Sequence, residues 1–189
     1  MTGVILFRAQ PFHNGHLAQI KRAYEDMKHF GGELYIIVGS ADKLGTKRNP
    51  IPITMRIDLI NRSLQEVYNN TELQHIHIFP LEDYSDEANN THTWGNYLYQ
   101  HLCLITKDNE FVFYYSDKPE IALSWFHEEI KEHIWFKFLP RVDGIDATTV
   151  RELIANYNEE TYSFYLRQIL PKYVFNNIPN IKKYIINAK

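Results

Sequence analysis

Short uninterrupted apolar runs, each followed by a segment of helical periodicity, constrain this chain more than any other feature. Val4-Ile5-Leu6-Phe7 and Leu34-Tyr35-Ile36-Ile37-Val38 contain no charged residue. As strands they must be covered on both faces, which is the condition of a parallel sheet with helices above and below. Between them Leu17, Ile20, Tyr24 and Met27 fall at helical spacing, and Gly31-Gly32 supplies a stop. The alternation continues. Ile57, Ile60, Leu64 and Val67 mark a second helix, and His75-Ile76-His77-Ile78-Phe79 a third strand. Trp94, Tyr97, Leu98, His101 and Ile105 mark another helix. Residues 111–115 and 134–139 read as a fourth and a fifth strand, and residues 149–157 as a helix. Past residue 159 the strand signal ends. Tyr162, Tyr165, Leu166 and Ile169, then Tyr173-Val174-Phe175 and residues 181–186, suggest short helices. This order predicts an α/β fold: a Rossmann-like, doubly wound parallel sheet of about five strands over residues 1–158, with residues 159–189 a small helical extension packed on it. Ligands of such a sheet sit beyond the carboxyl ends of its strands. The loops after Phe7, Val38, Phe79, Tyr115 and Leu139 should therefore line one crevice.

Charge and cysteine usage narrow the partners. The net charge of -3, with nine histidines neutral, gives no global basic field, so nucleic acid is not an expected partner. The one cysteine, Cys103, excludes a disulfide framework and a Cys-rich zinc site. In Leu102-Cys103-Leu104-Ile105 it reads as a small buried hydrophobe. The opening apolar run is too short to span a membrane and no signal peptide precedes it, so the cytoplasm is the expected compartment. Two loops stand out: the polar segment 41–52, and the long acidic, Asn-rich segment 82–92, a length that often serves function.

The densest chemistry lies in Arg8-Ala9-Gln10-Pro11-Phe12-His13-Asn14-Gly15-His16, between the first strand and the first helix. That junction presents free backbone N–H groups and the positive end of a helix dipole to an anion. Gly15 lets a phosphate approach the backbone. His13 and His16, three residues apart, share a face of the first turn, where two imidazoles can donate to phosphoryl oxygens, more strongly if protonated. A bare His-x-x-His is also what a capped loop with two exposed histidines looks like, and a zinc reading lacks a third ligand at recognisable spacing. Near the end of the sheet Ile145-Asp146-Ala147-Thr148-Thr149-Val150-Arg151 offers Thr148 as a helix N-cap, with Arg151 one turn in and able to clamp phosphates. Tyr115-Ser116-Asp117-Lys118-Pro119 suits either a contact with a nucleoside or a plain turn before a helix starting near Pro119.

Taken together, His13-x-Gly15-His16 and the Ile145 to Arg151 stretch resemble the paired signatures of the HIGH superfamily of nucleotidyltransferases. Within it the chain most resembles the archaeal-type nicotinamide-mononucleotide adenylyltransferases and the matching domain of Nudix-fused bacterial enzymes. Five stretches carry this: the Arg8 to His16 motif; Gly39-Ser40-Ala41; Arg48-Asn49-Pro50 with Arg56; Pro80-Leu81-x-Asp83-Tyr84 leading to Trp94; and Ile145 to Arg151. The resemblance implies that His13, His16 and Arg151 act at the reacting phosphates. It implies ATP and phosphate contacts by Arg8, Gln10, Phe12, Gly15, Tyr115, Ser116, Asp117, Ile145 and Thr148. It implies mononucleotide contacts by Gly39, Ser40, Arg48, Asn49, Asp83 and Trp94, with Arg56 supporting that site and Trp94 stacking on the nicotinamide ring. Asp146 stands where the family pattern has serine, which removes a hydroxyl–phosphate contact. The Asp83 to Trp94 spacing is longer than in the archaeal pattern, leaving Asn89 and Asn90 as candidates for the ring amide. The implied reaction joins ATP and nicotinamide mononucleotide into NAD and pyrophosphate. Mg²⁺ would arrive on the ATP phosphates rather than in a carboxylate cage, and a homo-oligomer is a family-level expectation. Open alternatives are adenylyl or cytidylyl transfer to nicotinic acid mononucleotide, pantetheine phosphate or flavin mononucleotide, and a nucleotide-binding sensor without turnover.

Overall fold

A computed structural model of the chain describes residues 1–84, 91–116, 119–141, 145–158 and 161–189. Among them, β1 (Thr2–Phe7), β2 (Glu33–Val38), β3 (Ile76–Pro80), β4 (Phe111–Tyr115) and β5 (Ile134–Phe138) form one sheet in the order β3-β2-β1-β4-β5. Every pairing is parallel: Ile5 lies opposite Ile36 on one side and Tyr114 on the other. The chain winds outward from β1 to β3, then crosses back to β4 and β5. The winding reverses between β1 and β4, so a crevice opens beyond their carboxyl ends.

The uninterrupted apolar runs work as the sequence requires. Along β1 and β2, Ile5, Ile36 and Val38 face a core shared with α1 (Asn14–His29) and α2 (Ile53–Gln65), while Val4, Tyr35 and Ile37 face α4 (Thr91–Thr106) through Leu98 and Leu102. Alternate side chains of one strand thus enter different cores, and no face is left for water. Each fully buried Ile, Leu or Phe adds roughly 1.5–3 kcal/mol. After α7 (Ala147–Ala155) the chain forms α8 (Ser163–Ile169), α9 (Lys172–Asn176) and α10 (Ile178–Ile186). Leu166, Val174, Phe175 and Ile181 of these helices join the core of α1 and α2. No helix of the described residues is long and apolar enough to cross a membrane.

Details depart from the sequence pattern where local chemistry outweighs periodicity. Val67 lies past the end of α2 and is exposed, because the chain turns there into α3 (Asn70–Leu73). That single turn is held by a reciprocal cap: Asn69 accepts from the Thr71 and Glu72 N–H groups, and Glu72 accepts from the Asn69 N–H. Cys103 is half-buried rather than buried, since it sits at the boundary of α4 between sealed Leu102 and exposed Leu104. Two short helices, α5 (Pro119–Leu123) and α6 (Glu128–Lys131), connect β4 to β5.

Gly95 of α4 lies against the backbone of the segment between α5 and α6: a Cβ there would stand 1.8 Å from the Trp125 carbonyl oxygen. In an ordinary helix, Gly→Ala stabilises by about 1 kcal/mol. Here backbone faces backbone and neither can yield, so Gly95→Ala should instead destabilise by at least about 2 kcal/mol. A thermal midpoint lowered by roughly 4–8 °C would show it; an unchanged or raised midpoint would contradict this contact.

Candidate active site

The crevice floor is built around one buried cation. Arg56 of α2 is fully buried, and its guanidinium donates to three main-chain carbonyls: Nη1 to Arg8 (2.8 Å) and Gly39 (2.8 Å), Nη2 to Ser40 (2.9 Å). These carbonyls belong to the turns that end β1 and β2. Both turns contain a non-glycine residue in the left-handed region, Ala9 and Ser40, each at φ 51. Such a conformation is held only where surroundings over-determine it, and the planar guanidinium supplies that hold. Burial lowers the Arg56 pKa to about 10, so it stays charged at neutral pH. With its Nη donors engaged this way, Arg56 shapes the site from behind.

The network extends to β3. Ser40 Oγ donates to Asp83 Oδ1 at 3.0 Å, and the Asp83 N–H donates to Asp42 Oδ1 at 2.8 Å. Gln10 also faces inward: its Nε2 donates to the Ile51 carbonyl (3.1 Å) and its Oε1 accepts from the Ile51 N–H (2.9 Å), tying the 41–52 loop to the first motif. Phe12 is fully buried. Both side chains are turned to the interior, where they hold the motif in place. Asn49 is also buried, and its N–H donates to Thr46 Oγ1. Arg48 beside it is exposed. Lys189 pins this loop from the far end of the chain, with its N–H on the Gly45 carbonyl and its carbonyl accepting from the Lys47 N–H.

At the start of α1, His13 occupies the N-cap, and its Nδ1 accepts from the Gly15 N–H at 3.1 Å. His16 Nδ1 accepts from the His13 N–H at 3.3 Å. This is a capping box made of imidazoles. The rings stack with centroids 3.8 Å apart. A Cβ on Gly15 would lie 2.9 Å from the His13 ring, so glycine is needed here for the ring as much as for any phosphate. With both Nδ1 atoms accepting, the assigned neutral tautomer carries its proton on Nε2 in each ring. Burial lowers the His13 pKa to about 4, with Arg141 adding to the effect and Asp146 opposing it. Burial, then His13, then Arg141 hold His16 well below the ordinary histidine range. The pair is neutral at pH 7 and offers two fixed Nε2–H donors.

The second motif meets the first. Its N-cap is Asp146 and not Thr148: at φ -130 and ψ 153 Asp146 has the extended backbone a cap requires, and its carboxylate accepts from the Thr148 N–H (2.9 Å), the Thr149 N–H (3.0 Å) and the Thr149 hydroxyl (2.6 Å). Thr148 is already helical. Its Oγ1 instead accepts from Arg151 Nη2 at 3.2 Å, while Arg151 Nη1 donates to the Gln10 carbonyl at 2.7 Å. Ile145 lies beside Gly15. His13, His16, Gly15, Ile145, Thr148 and Arg151 are thus brought together.

Gly39, Ser40 and Asp83 form a neighbouring group over β2 and β3. Tyr115 and Ser116 border a pocket at the ends of β1 and β4. Trp94 packs, half-buried, edge-on to Trp125 at 5.0 Å and joins the core on the α4 face of the sheet. Asp117, Asn89 and Asn90 lie outside the described residues. The motif reading missed Arg141, whose charge reaches both histidines. Its position after β5, in a loop expected to line the crevice, was the available signal. No group of three or more His, Cys, Asp or Glu suited to a metal occurs among the described residues.

Because the folded-state pKa values of His13 and His16 lie below the unfolded value near 6.5, the unfolded chain takes up protons first as pH falls. Stability should be full above about pH 6.5 and decline toward about pH 4. Urea midpoints measured at about pH 7 and about pH 4.5 would read this. His13→Asn, which keeps a capping side chain and removes a titrating group, should flatten the decline. An equal decline in the variant would place the pH sensitivity elsewhere.

Comparison with known proteins agrees with this geometry. The cytidylyltransferase-like family model matches residues 8–153, a span that includes both motifs. A curated nicotinamide-nucleotide adenylyltransferase of Ignicoccus hospitalis is 38% identical over 76 residues, covering 40% of this chain and 41% of that protein. Another, from Sulfurisphaera tokodaii, is 29% identical over 188 residues, covering 96% of this chain and 92% of its own length. The chain spans only 41%, 41% and 42% of the first curated relatives it matches. A bifunctional NMN adenylyltransferase/ADP ribose pyrophosphatase from Francisella tularensis, in complex with AMP and manganese, has the same fold, with a TM-score of 0.71 at 19% identity over 98% of this chain and 51% of that one. With a family match that runs from residue 8 to residue 153 and holds both motifs in contact, the chain belongs to the cytidylyltransferase-like family.

Proposed function

We propose that this protein transfers AMP from ATP to nicotinamide mononucleotide, giving NAD and pyrophosphate. The observation that carries the reading is the neutral His13–His16 pair, its two Nε2–H donors fixed at the positive end of α1 and beside Arg151. The similarity to curated nicotinamide-nucleotide adenylyltransferases supports the acceptor.

In this mechanism the 5′-phosphate of the mononucleotide attacks the α-phosphorus of ATP in line. A P–O bond forms to that phosphate, the bond from the α-phosphorus to the bridging oxygen breaks, and pyrophosphate leaves with the electron pair. The acceptor is already ionised, so no protein base is needed, and histidines that stay neutral suit the task. Their Nε2–H groups hydrogen-bond the phosphoryl oxygens as charge develops, in a geometry fixed before substrate arrives. Arg151 holds the β- and γ-phosphates by bidentate contacts, and Arg8 and Arg141 add positive charge at the rim. The substrate is Mg²⁺-bound ATP, the cation neutralising phosphate charge while held by phosphate oxygens and water. Ser40 and Asp83 sit under the mononucleotide, Arg48 takes its phosphate, and Trp94 faces its ring. The adenosine lies over the ends of β1 and β4, beside Tyr115 and Ser116. The compartment is the cytoplasm, nucleic acid and membrane are not partners, and self-association follows the family expectation.

Incubation with ATP, Mg²⁺ and nicotinamide mononucleotide, with NAD read through a coupled alcohol dehydrogenase, tests this directly. His16→Ala should lower turnover about 10²-fold or more, with the helical circular dichroism signal retained. A folded His16→Ala protein of full activity would remove His16 from the chemistry. Pyrophosphate release with nicotinic acid mononucleotide, pantetheine phosphate or flavin mononucleotide in place of nicotinamide mononucleotide would move the acceptor. ATP binding without pyrophosphate from any acceptor would make the protein a sensor.

A further inference from the structure

We propose that Lys189 positions the acceptor side of the crevice: its main chain straps residues 44–48, and with them Arg48, to the C-terminal helices. This rests on the mononucleotide contact given to Arg48 above and deepens it.

The 41–52 loop is held at both ends. At its start the Ser40 carbonyl accepts from Arg56 Nη2 at 2.9 Å, the Ala41 N–H donates to the Leu81 carbonyl at 3.0 Å, and Asp42 Oδ1 accepts from the Asp83 N–H at 2.8 Å. Toward its end Asn49 and Pro50 are buried, and Ile51 pairs with Gln10. Residues 44–48, between these ties, are all exposed. Among the described residues, two hydrogen bonds join them to the chain beyond the loop. The Lys189 N–H donates to the Gly45 carbonyl at 2.9 Å, and the Lys47 N–H donates to the Lys189 carbonyl at 3.1 Å. Both are main-chain contacts, and the second lies one residue from Arg48.

Lys189 is itself held in place. After α10 the chain turns, with Asn187 Nδ2 donating to the Lys183 carbonyl at 2.8 Å and the Ala188 N–H to the Ile185 carbonyl at 3.4 Å. Behind that turn Ile178 and Ile181 are sealed in the core shared with Val150 and Ile154 of α7, and Lys182 Nζ donates to the Tyr157 carbonyl at 2.9 Å. One helix thus runs from the helix that carries Arg151 to the loop that carries Arg48. An exposed loop with an untied middle loses conformational freedom when it binds, and that loss weakens affinity. The strap removes part of it before the mononucleotide arrives. It acts on acceptor affinity and not on the histidines, which are fixed by their own cap and by Phe7 and Phe12.

The test compares two variants of the full chain. Lys189→Pro removes the N–H that reaches Gly45; Lys189→Ala loses the same side chain and keeps that N–H. Lys189→Pro should raise the KM for nicotinamide mononucleotide about 3–10-fold over Lys189→Ala, the worth of one main-chain hydrogen bond, with kcat and the KM for ATP in place. Hydrogen exchange of residues 44–48 should quicken in the proline variant. Deletion of residues 187–189 removes both bonds and should reproduce these effects. Equal KM values for the mononucleotide in the two point variants would overturn the proposal, whatever exchange shows. So would parallel losses in kcat and in both KM values, the mark of general loosening, or an alanine variant as impaired as the proline one, which places the effect in side-chain charge. If the wild-type protein forms no NAD, calorimetric binding of nicotinamide mononucleotide replaces KM. Binding weakened by Lys189→Pro then keeps the strap and drops the transfer reading, and a wild-type protein that binds no mononucleotide overturns both.

Discussion

Arg56 ties the carboxyl ends of β1 and β2 together through the carbonyls of Arg8, Gly39 and Ser40, and the crevice is organised around that tie. A buried guanidinium is costly to desolvate, and removal of such a hydrogen-bonded charge commonly costs about 3–5 kcal/mol. Here the cation offsets two conformations the chain would otherwise avoid, the left-handed Ala9 and Ser40. It also fixes where the next residues go. Ser40 is turned toward Asp83, Gln10 toward Ile51, and His13 is delivered to the head of α1. The Ser40–Asp83 side and the histidine side of the crevice are thereby one connected piece of hydrogen-bonded structure.

The two signature motifs are similarly interdependent. Arg151 belongs to the second motif by sequence, yet one of its donors is held by the Gln10 carbonyl of the first. Asp146 replaces a hydroxyl residue of the family pattern with a carboxylate, and uses it to cap α7. Burial lowers the His13 pKa and the same carboxylate opposes that effect. Burial holds both histidines below the ordinary range, and Phe7 and Phe12 pack around His16. Core packing and the electrostatics of the crevice therefore share the same side chains.

Much of the fold was legible along the chain. A period of two or an uninterrupted apolar run marked the first four strands, and a period near 3.6 marked the long helices. The meeting of the two motifs was legible from their places at strand–helix junctions, as with His13, His16 and Arg151. The site was less legible for residues whose type fits several uses. Gln10 and Phe12 lie inside the first motif but turn to the interior, Gln10 to pair with Ile51 and Phe12 to pack against Phe7 and His16. Thr148 and Asp146 are both good caps, and only the backbone angles decide between them. Arg141 carries no local pattern at all, being an ordinary residue that becomes a neighbour of the histidines through the placement of the chain after β5.

The sequence by itself determined an α/β chain with a doubly wound parallel sheet, the crevice side of that sheet, and the two stretches that meet there. Those properties follow from hydrophobic periodicity and local backbone chemistry, which act over a few residues. Tertiary structure alone decided which of the motif residues turn to the interior and hold the crevice up, the protonation state of the histidine pair, and the placement of Arg56 and Arg141. These depend on burial and on contacts between residues far apart in the chain: Arg56 meets Arg8 across 48 positions, and Arg151 meets Gln10 across 141. Dielectric environment and hydrogen-bond partners are properties of the assembled interior, so no local pattern can encode them.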